Sequence, residues 1–245
     1  MNCMQVAIAL GKFGEMLKSN PMLKPKIFTN TNEALDVLCI GAHCDDIEIG
    51  CGGSILSMLN QNPNINLHWH IFTSSPDRKQ EALAGARLFG AKAKSLSVNI
   101  LDFPDGYLPY EGREVKQAME AIKQSCSPDL IFTHYRHDLH QDHRKIAELT
   151  WNTFRNHLIM EYEIPKWDGD MGQPNTFIEI DKIIAEEKIR FLQEAYNSQQ
   201  KKRWFTDDLF YSMMRIRGME CNSGSQLAEA FYMNKTVLSF ATKPF

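Results

Sequence analysis

The segment Val37-Leu-Cys-Ile-Gly41, which continues directly as Ala-His43-Cys-Asp45-Asp46, decides the fold class. Its first half is apolar throughout, which is typical of a parallel strand that is buried on both faces. Its second half places one imidazole and two carboxylates just beyond that strand. In open α/β sheets, ligands bind outside the carboxyl ends of the strands. The segment therefore predicts a central strand that carries polar groups to a functional site.

Strand and helix patterns alternate after this segment. The predicted strands cover residues 66–72, 95–101 and 129–134, and the predicted helices cover residues 78–90, 115–125 and 144–160. A further helix is expected to follow a glycine-rich turn at residues 50–53 and to end near residue 59. Helices that alternate with strands in this way connect parallel neighbours. The sequence therefore predicts a Rossmann-like α/β fold, with a mostly parallel sheet and helices on both of its faces.

The two ends of the chain differ from this central pattern. Residues 1–34 are predicted to be an N-terminal extension that contains an amphipathic helix over residues 6–17. Residues 35–245 are expected to form one domain, with a C-terminal elaboration from about residue 165. In that elaboration we predict an edge strand at residues 176–180 and a helix capped by the following aspartate. Its aromatic tail is expected to form a wall of the substrate pocket rather than a separate domain.

The composition is that of an ordinary globular protein. Among 245 residues, 43% are hydrophobic and 23% are charged, and the formal net charge is -3 without a long run of one sign. The lack of a basic stripe argues against nucleic acid as a partner. No apolar run approaches the roughly 20 residues of a membrane-spanning helix and no targeting segment is evident, so a cytoplasmic location is expected. The six cysteines contain no Cys-x-x-Cys pair, which favours reduced thiols.

A second polar cluster follows the last predicted strand of the alternating region. It runs from His134 to Arg144 and holds four of the chain's eight histidines within ten residues. His140 and His143 are three residues apart, so they share a face if a helix begins there. This cluster and the one at residues 43–46 can converge on a single ion, and two His and one Asp with an open fourth position suit catalytic zinc. The structural alternative is that the adjacent aspartates cap a helix and each histidine is simply hydrogen-bonded.

The motifs His43-x-Asp45-Asp46 and His140-x-Asp142-His143 resemble the two signature motifs of the PIG-L, or LmbE-like, family of zinc de-N-acetylases. Further segments that fit the family are Glu48-Ile-Gly50-Cys51-Gly52-Gly53, Arg78-x-x-Glu81, Leu88-x-Gly90, Phe103-Pro-Asp105-Gly106, Arg217-Gly218 and Ala228-Glu229-Ala230-Phe231. The resemblance covers about residues 35–232. It implies an LmbE-like fold with a C-terminal elaboration, and one Zn²⁺ per chain, with other divalent metals as alternatives.

The resemblance also implies the class of substrate. Family members act on N-acetylglucosaminyl-phosphatidylinositol and on the N-acetylglucosaminyl precursors of mycothiol and bacillithiol. An N-acetyl amino sugar is therefore expected as the partner of this chain, and a nucleotide or a lipid is an admissible carrier. A homo-oligomer is compatible with the sequence.

By position in the motifs, the resemblance implies that His43, Asp46 and His143 bind the zinc ion. Asp45 would then lie beside the metal and act as the general base on the zinc-held water, whose pKa zinc lowers to about 7. One position departs from the family pattern, because Cys44 stands where the family usually has proline. We expect Cys44 to be a spacer, with coordination of the ion as the alternative.

The remaining residues of the second motif are given supporting roles by the same resemblance. His140 would stabilise the oxyanion of the tetrahedral intermediate or protonate the leaving amine. Asp142 is expected to hold His140 in the required tautomer, to cap the helix, or to do both. Asp138 is a weaker candidate for holding His140, and His134 and His137 are left as structural residues or as residues that support the metal ligands, without an assigned role.

Four charged residues are predicted to contact the substrate: Arg78, Asp105, Arg217 and Glu229. Each has a structural alternative. Arg78 begins a helix with Glu81 three residues on, so a surface ion pair is possible. Asp105 precedes a glycine and fits a plain turn. Arg217 and Glu229 are alternatively an ion pair that closes the domain.

The leading functional prediction is hydrolysis of the acetyl amide of an N-acetylated amino sugar. A metallo-phosphoesterase acting on a sugar phosphate is the alternative within enzyme chemistry, although such enzymes more often use two metals. A non-enzymatic nucleotide-binding Rossmann module is the third possibility, with the glycines at residues 50–53 around a phosphate. That glycine spacing does not match Gly-x-Gly-x-x-Gly, and it follows an acidic turn that would repel a phosphate.

Overall fold

The structure, a computed structural model, describes residues 24–25 and 34–238. The helix predicted at residues 6–17 lies outside the described residues. From residue 34 onward, the described chain belongs to a single unit that begins at residue 32 and includes the C-terminal elaboration. Among the described residues, no helix has the length and apolar character needed to cross a membrane.

Strands and helices alternate through the first part of this unit, as the sequence pattern predicts. The strands are β1 (Leu35–Gly41), β2 (Ile65–Thr73), β3 (Ser95–Phe103), β4 (Leu130–His134), β5 (Leu158–Tyr162), β6 (Thr176–Glu179) and β7 (Ala228–Tyr232). The helices are α1 (Asp46–Gln61), α2 (Pro76–Phe89), α3 (Gly112–Ser125), α4 (Gln141–Thr153), α5 (Lys182–Ala195) and α6 (Asp207–Glu220).

The seven strands form one sheet in the order β3-β2-β1-β4-β5-β7-β6. The first five strands of this order pair in parallel, and β7 pairs antiparallel with both β5 and β6. The direction of winding reverses between β1 and β4, which are paired directly through Val37↔Leu130 and Cys39↔Phe132. Such a reversal opens a crevice at the carboxyl ends of the two strands. The Rossmann-like, mostly parallel α/β fold is therefore confirmed.

The core explains why β1 is apolar at every position. Leu38 and Ile40 are fully buried in a cluster with residues of α3 and α4, including Val115 and Ile146. Alternate residues of a strand point to opposite faces, and Cys39, on the other face, is also fully buried. Helices α1, α2 and α5 contact one another on that side. A strand covered on both faces has no position at which a polar residue is tolerated until its end.

The glycine-rich segment is part of a helix, so the prediction of a turn at residues 50–53 was wrong. Helix α1 starts at Asp46, and these glycines lie in its first two turns. A Cβ on Gly50 would overlap the ring of Tyr162, and a Cβ on Gly52 would overlap the ring of Phe89. The glycines are needed for close packing of the helix and not for a turn. The phosphate-cradling loop of the nucleotide-binding hypothesis is therefore absent from this segment.

The prediction of one helix over residues 144–160 is also wrong for the second half of that range. Helix α4 ends at Thr153, and the chain turns at Phe154, whose carbonyl accepts from the amide of His157 at 3.3 Å. The next five residues form β5, which pairs with β4 through Leu130↔Leu158. No glycine or proline separates the two elements, and only the short polar segment Arg155-Asn156-His157 lies between their apolar residues. Only pairing with β4 distinguishes the strand from a longer helix.

The C-terminal elaboration extends the sheet. The edge strand predicted at residues 176–180 is confirmed as β6, and Asp181 occupies the N-cap position of α5 without a side-chain capping bond. Strand β7 lies between β5 and β6, and its five residues are all buried. Strand β7 and helix α6 have no counterpart in the sequence prediction.

Candidate metal centre and its cavity

The two polar motifs meet because they follow neighbouring strands. Residues 43–46 follow β1, and the segment that begins at His134 follows β4, its paired neighbour. Helix α1 begins at Asp46 and helix α4 begins after His140, which is its N-cap residue. Both helices therefore direct their first residues to the crevice at which the winding of the sheet reverses.

The three residues predicted as metal ligands lie together. His43 Nδ1 is 3.0 Å from His143 Nε2 and 3.3 Å from Asp46 Oδ2, and His143 Nε2 is 3.4 Å from Asp46 Oδ1. Ligand atoms at about 2.0–2.1 Å from a tetrahedral ion are separated by about 3.3 Å. The observed distances are close to this separation, and the two that involve Asp46 run to different oxygens of its carboxylate. Two imidazoles and one carboxylate are also a donor set that zinc accepts.

His134 belongs to the same cluster, where the sequence interpretation left it as a structural residue or a support of the metal ligands without an assigned role. Its Nε2 is 3.1 Å from Asp46 Oδ2 and accepts the backbone N–H of Ala42 at 2.9 Å. Burial, reinforced by nearby His143, lowers the pKa of His134 to about 4. A neutral imidazole beside Asp46 is therefore expected. In the sequence, the feature that could have pointed to His134 is its position at the end of a buried strand, within the four-histidine cluster.

The two adjacent carboxylates have different surroundings. Burial by itself would raise the pKa of Asp46, but His143, His134 and His43 hold it well below its ordinary value. The pKa of Asp45 is raised, because burial and the charge of Asp46 outweigh the opposing charge of Arg78. Asp45 Oδ2 is 2.9 Å from Arg78 Nη2. Asp46 is thus an ionised group facing imidazoles, whereas Asp45 faces a guanidinium.

Arg78 lies at the site, where it contacts two carboxylates. Besides Asp45, it contacts Glu81 at 2.6 Å, and its guanidinium lies 5.2 Å from the ring centre of Tyr196. The ion pair with Glu81 anticipated as an alternative is therefore present, but it borders the cavity of the site and is not remote from it. The amide and hydroxyl of Ser198 bind Glu81 at 2.7 Å each, which fixes the pair to the segment after α5.

Asp142 contacts His140 through its backbone and not through its carboxylate, which is the group predicted to hold His140. The carboxylate of Asp142 accepts the backbone N–H groups of Gly106 at 2.7 Å and Leu108 at 3.1 Å. It is the backbone amide of Asp142 that reaches His140, by donating to Nδ1 at 3.2 Å. With Nδ1 as an acceptor, neutral His140 carries its proton on Nε2. The tautomer of His140 is therefore set by a helix-capping bond.

Asp138 supports a predicted metal ligand. Its Oδ2 lies 3.0 Å from His143 Nδ1, and its Oδ1 accepts the amide of His140 at 2.8 Å. Lys166 Nζ also binds Oδ2 of Asp138, at 2.9 Å. A carboxylate on the second nitrogen of a metal-binding histidine orients the ring and fixes its tautomer. Asp138 is therefore suited to orient the ring of His143, whereas it binds His140 only through the backbone amide.

Asp105 reaches the same cluster from the loop after β3. Its Oδ1 is 3.1 Å from His43 Nε2, and its side chain is 79% exposed towards the cavity opening. Gly106 has a φ of +81°, so the turn expected as the alternative is also present. The turn presents Asp105 to the cavity, and the two interpretations are compatible.

Arg217 and Glu229, both predicted to contact the substrate, are not among the residues that line this cavity. Arg217 Nη2 is 2.7 Å from Glu163 Oε2, and Arg217 also pairs with Glu220. Glu229 is paired with buried Lys188 at 2.6 Å. The two residues have different partners, so the mutual ion pair given as the alternative is not formed. Their charges are paired inside the protein, and contact of either residue with the substrate stays a prediction.

Cys44 has the position of a spacer. Its Sγ donates to the carbonyl of Thr73 at 3.4 Å, and burial raises the pKa of its thiol to about 12. Among the described residues, Cys44 belongs to none of the His, Cys, Asp and Glu groups whose ligand atoms lie close enough together to hold an ion. A spacer role for Cys44 is therefore favoured.

The cluster forms the floor of a cavity of about 850 Å³. His43, Asp45, Asp46, His140 and His143 all border it, together with Arg78 and Asp105. Its outer walls come from the C-terminal elaboration, through residues 164–171 and 199–209. Of the tail aromatics, Trp204 lines the cavity, while Phe205, Phe210 and Phe231 are buried in the core. The C-terminal part thus supplies a wall of the cavity.

Comparison with known proteins identifies relatives of this domain. Residues 38–154 match the family model described as PIG-L, GlcNAc-PI de-N-acetylase. A curated relative from Escherichia coli K12, described as the uncharacterized deacetylase YaiS, is 26% identical over an alignment of length 166 that covers 62% of this chain and 86% of the relative.

Solved structures share the fold at low identity. The N,N'-diacetylchitobiose deacetylase of Pyrococcus horikoshii has a TM-score of 0.66 at 20% identity, covering 91% of this chain and 92% of its own. GalB, the 4-carboxy-2-hydroxymuconate hydratase of Pseudomonas putida, has a TM-score of 0.69 at 15% identity, and the match covers 85% of this chain and 100% of GalB.

A deacetylase and a hydratase therefore have the same architecture, so the fold alone does not identify the reaction. The family match is more informative, because it begins within β1 and ends just after α4. It therefore includes both polar motifs and the strands that bring them together. Residues 38–154 therefore match the PIG-L, or LmbE-like, family over the part of the chain that carries both polar motifs.

Proposed function

We propose that the chain is a zinc-dependent hydrolase that removes the acetyl group from an N-acetylated amino sugar. The observation that carries the proposal is the convergence of His43, Asp46 and His143, with ligand-to-ligand distances of 3.0 to 3.4 Å, at the floor of a cavity. Asp45 and His140 border the same cavity and are available for proton transfer and for charge stabilisation. The family match and the deacetylase relatives support this class of reaction.

His43, Asp46 and His143 would hold the metal ion, and all three side chains border the cavity. When bound, a divalent ion supplies Lewis-acid chemistry, because it polarises an acetyl carbonyl and lowers the pKa of a water molecule. Zinc fits the donor set of two imidazoles and one carboxylate, and other divalent ions remain alternatives.

Asp45 is the group proposed to accept the proton of the attacking water. Arg78 binds one carboxylate oxygen of Asp45 at 2.9 Å, which fixes its orientation beside the ligands. The proton accepted by Asp45 is then available to the amine that leaves when the C–N bond breaks. The products are acetate and the free amino sugar, so atoms and charges balance.

His140 is proposed to stabilise the oxyanion of the tetrahedral intermediate. Its Nδ1 is occupied by the amide of Asp142, so the proton on Nε2 is the one that it offers to a ligand. A donor fixed in advance at the position of a developing negative charge contributes more than one that must reorient.

The direct test is an assay of acetate and free amine from N-acetylglucosamine and its glycosides, with the protein loaded with zinc. Equal amounts of acetate and amine are expected. Phosphate released from N-acetylglucosamine 1-phosphate without acetate would favour the phosphoesterase alternative. Turnover of a substrate without any release of free amine would exclude amide hydrolysis.

A further inference from the structure

The cavity continues well beyond the metal cluster, into a region that we name the outer subsite. It is formed by Trp167 on the segment after β5, and by Lys202 and Trp204 on the segment between α5 and α6. Pockets of roughly 300–1,000 Å³ hold whole drug-sized ligands. A cavity of about 850 Å³ is therefore large for one hexosamine.

Trp167 is held in an exposed position by its neighbours. Its side chain is 85% exposed, although it lines the cavity. Lys166, the preceding residue, binds Asp138 at 2.9 Å and Asp170 at 2.6 Å, and Asp170 accepts the amide of Leu139 at 2.6 Å. Residues on both sides of Trp167 therefore bind the segment that leads into the motif His140-x-Asp142-His143. A large apolar ring fixed beside a cavity gains free energy when a ligand covers it.

Lys202 differs from the other cations of the cavity. Arg78 is paired with Asp45, and Lys166 is paired with Asp138. For Lys202, the described part of the chain offers no carboxylate within ion-pair distance, and its Nζ lies 6.0 Å from the ring centre of Trp204. Its neighbours in sequence, Lys201 and Arg203, are exposed cations as well, in a chain whose net charge is -3.

We propose that the outer subsite binds the group attached to the amino sugar, and that this group contains a ring and an anionic substituent. The ring would pack against Trp167 and Trp204, and the anion would pair with Lys202. The proposal rests on the proposed function, because it places the acetamido group at the metal cluster. It makes Trp167 and Lys202 specificity-determining residues.

The experiment compares three substrates with the zinc-loaded, full-length protein. They are free N-acetylglucosamine, its 4-carbamoylphenyl glycoside and its 4-carboxyphenyl glycoside, each glycoside as both anomers. An aromatic contact predicts about a 2- to 10-fold rise in kcat/KM from the free sugar to the neutral aryl glycoside. An exposed ion pair predicts a further rise of about 2- to 5-fold for the carboxylate, which should diminish in high salt.

Matched variants separate the two contributions. Trp167→Ala should remove the preference for the aryl glycosides and leave the free sugar within about 2-fold, whereas Tyr110→Ala, at an 80% exposed tyrosine outside the cavity lining, should change nothing. Lys202→Met should remove only the preference for carboxylate over carboxamide. Lys201→Met, which replaces a neighbouring exposed cation outside the cavity lining, should keep it.

Equal kcat/KM for the three substrates would overturn the outer subsite while leaving the deacetylase function intact. A Trp167→Ala variant in which kcat/KM falls equally for all three substrates would also overturn the outer subsite. Absence of acetate from every substrate would count against the proposed function instead. In that event, titration of the 4-carboxyphenyl glycoside by tryptophan fluorescence still decides the subsite, because binding must weaken at least 2-fold in Lys202→Met and stay unchanged in Lys201→Met.

Discussion

At the scale of single residues, Asp45 and Asp46 show that neighbouring carboxylates in one motif are directed to different partners. Asp46 begins α1 and faces His43, His134 and His143, whereas Asp45 is paired with Arg78. A carboxylate among imidazoles is placed to bind a cation. A carboxylate beside the cluster, fixed by a guanidinium, is placed to exchange a proton with a substrate.

Asp45→Asn is therefore expected to keep the metal and to lose activity by about 100-fold or more, since a positioned general base contributes roughly that much. His143→Ala is expected to lose the metal itself. Metal content per chain and kcat, measured on the same preparations, check both expectations. An Asp45→Asn protein without metal would show that the two carboxylates have been assigned the wrong way round.

Asp138→Ala should weaken metal binding about 10- to 100-fold, because His143 loses the group that orients its ring. The dissociation constant, obtained by competition with a chelator, is the measurement. Asp168→Ala removes an exposed carboxylate from the nearby loop and serves as the matched control, with unchanged affinity. Equal affinity in Asp138→Ala and the wild-type protein would limit Asp138 to holding Lys166 and the loop.

At the scale of elements, the loop between β5 and β6 is fixed at its far end by a buried ion pair. Glu163 follows β5, and its carboxylate accepts from Arg217 on α6, from the hydroxyl of Tyr232 on β7 and from the amide of Gly172. Arg217 also donates to the carbonyl of Gly172 at 3.2 Å. One pair of side chains thus joins a strand, a helix and the loop that carries Trp167.

Arg217→Met should destabilise the protein by about 3–5 kcal/mol, because it leaves Glu163 buried and unpaired. For a chain of this length, such a loss corresponds to a decrease in Tm of roughly 6–20 °C. Arg190→Met, which breaks two ion pairs of a 60% exposed arginine, should cost at most about 1 kcal/mol. If Arg217→Met keeps the wild-type Tm but loses kcat/KM, Arg217 contacts the substrate after all.

At the scale of the whole molecule, the candidate metal ligands come from both sides of the point at which the winding of the sheet reverses. His43 and Asp46 belong to the β1 side, and His143 belongs to the β4 side. A bound ion would therefore link segments that are about 100 residues apart in sequence, as the separation of His43 and His143 shows.

Zinc binding is accordingly expected to raise the unfolding temperature of the whole domain. At free zinc about 1,000-fold above the dissociation constant, the stabilisation is about 4 kcal/mol. This corresponds to roughly 8–16 °C in Tm. Thermal unfolding with chelator, and again after zinc is restored, measures the shift. His143→Ala should show no shift, and an equally large shift in that variant would place the stabilising ion elsewhere.

The sequence by itself determined β1, the alternation of strands and helices, and the identity of the candidate ligands. An apolar run such as residues 37–41 has few places other than the middle of a sheet. A histidine with two aspartates directly after that run is costly to bury without a partner. These features are local, so they can be interpreted without knowing which elements meet.

Tertiary structure alone decided which elements are neighbours. The pairing of β1 with β4 brings the two motifs together, and pairing with β4 makes residues 158–162 a strand. The close packing of α1 against Tyr162 and Phe89 leaves no room for a side chain at Gly50 and Gly52. Arg217 was matched to a family motif, but contact with Glu163 gives it an internal role. Each of these outcomes depends on contacts between residues far apart in sequence, which local patterns do not encode.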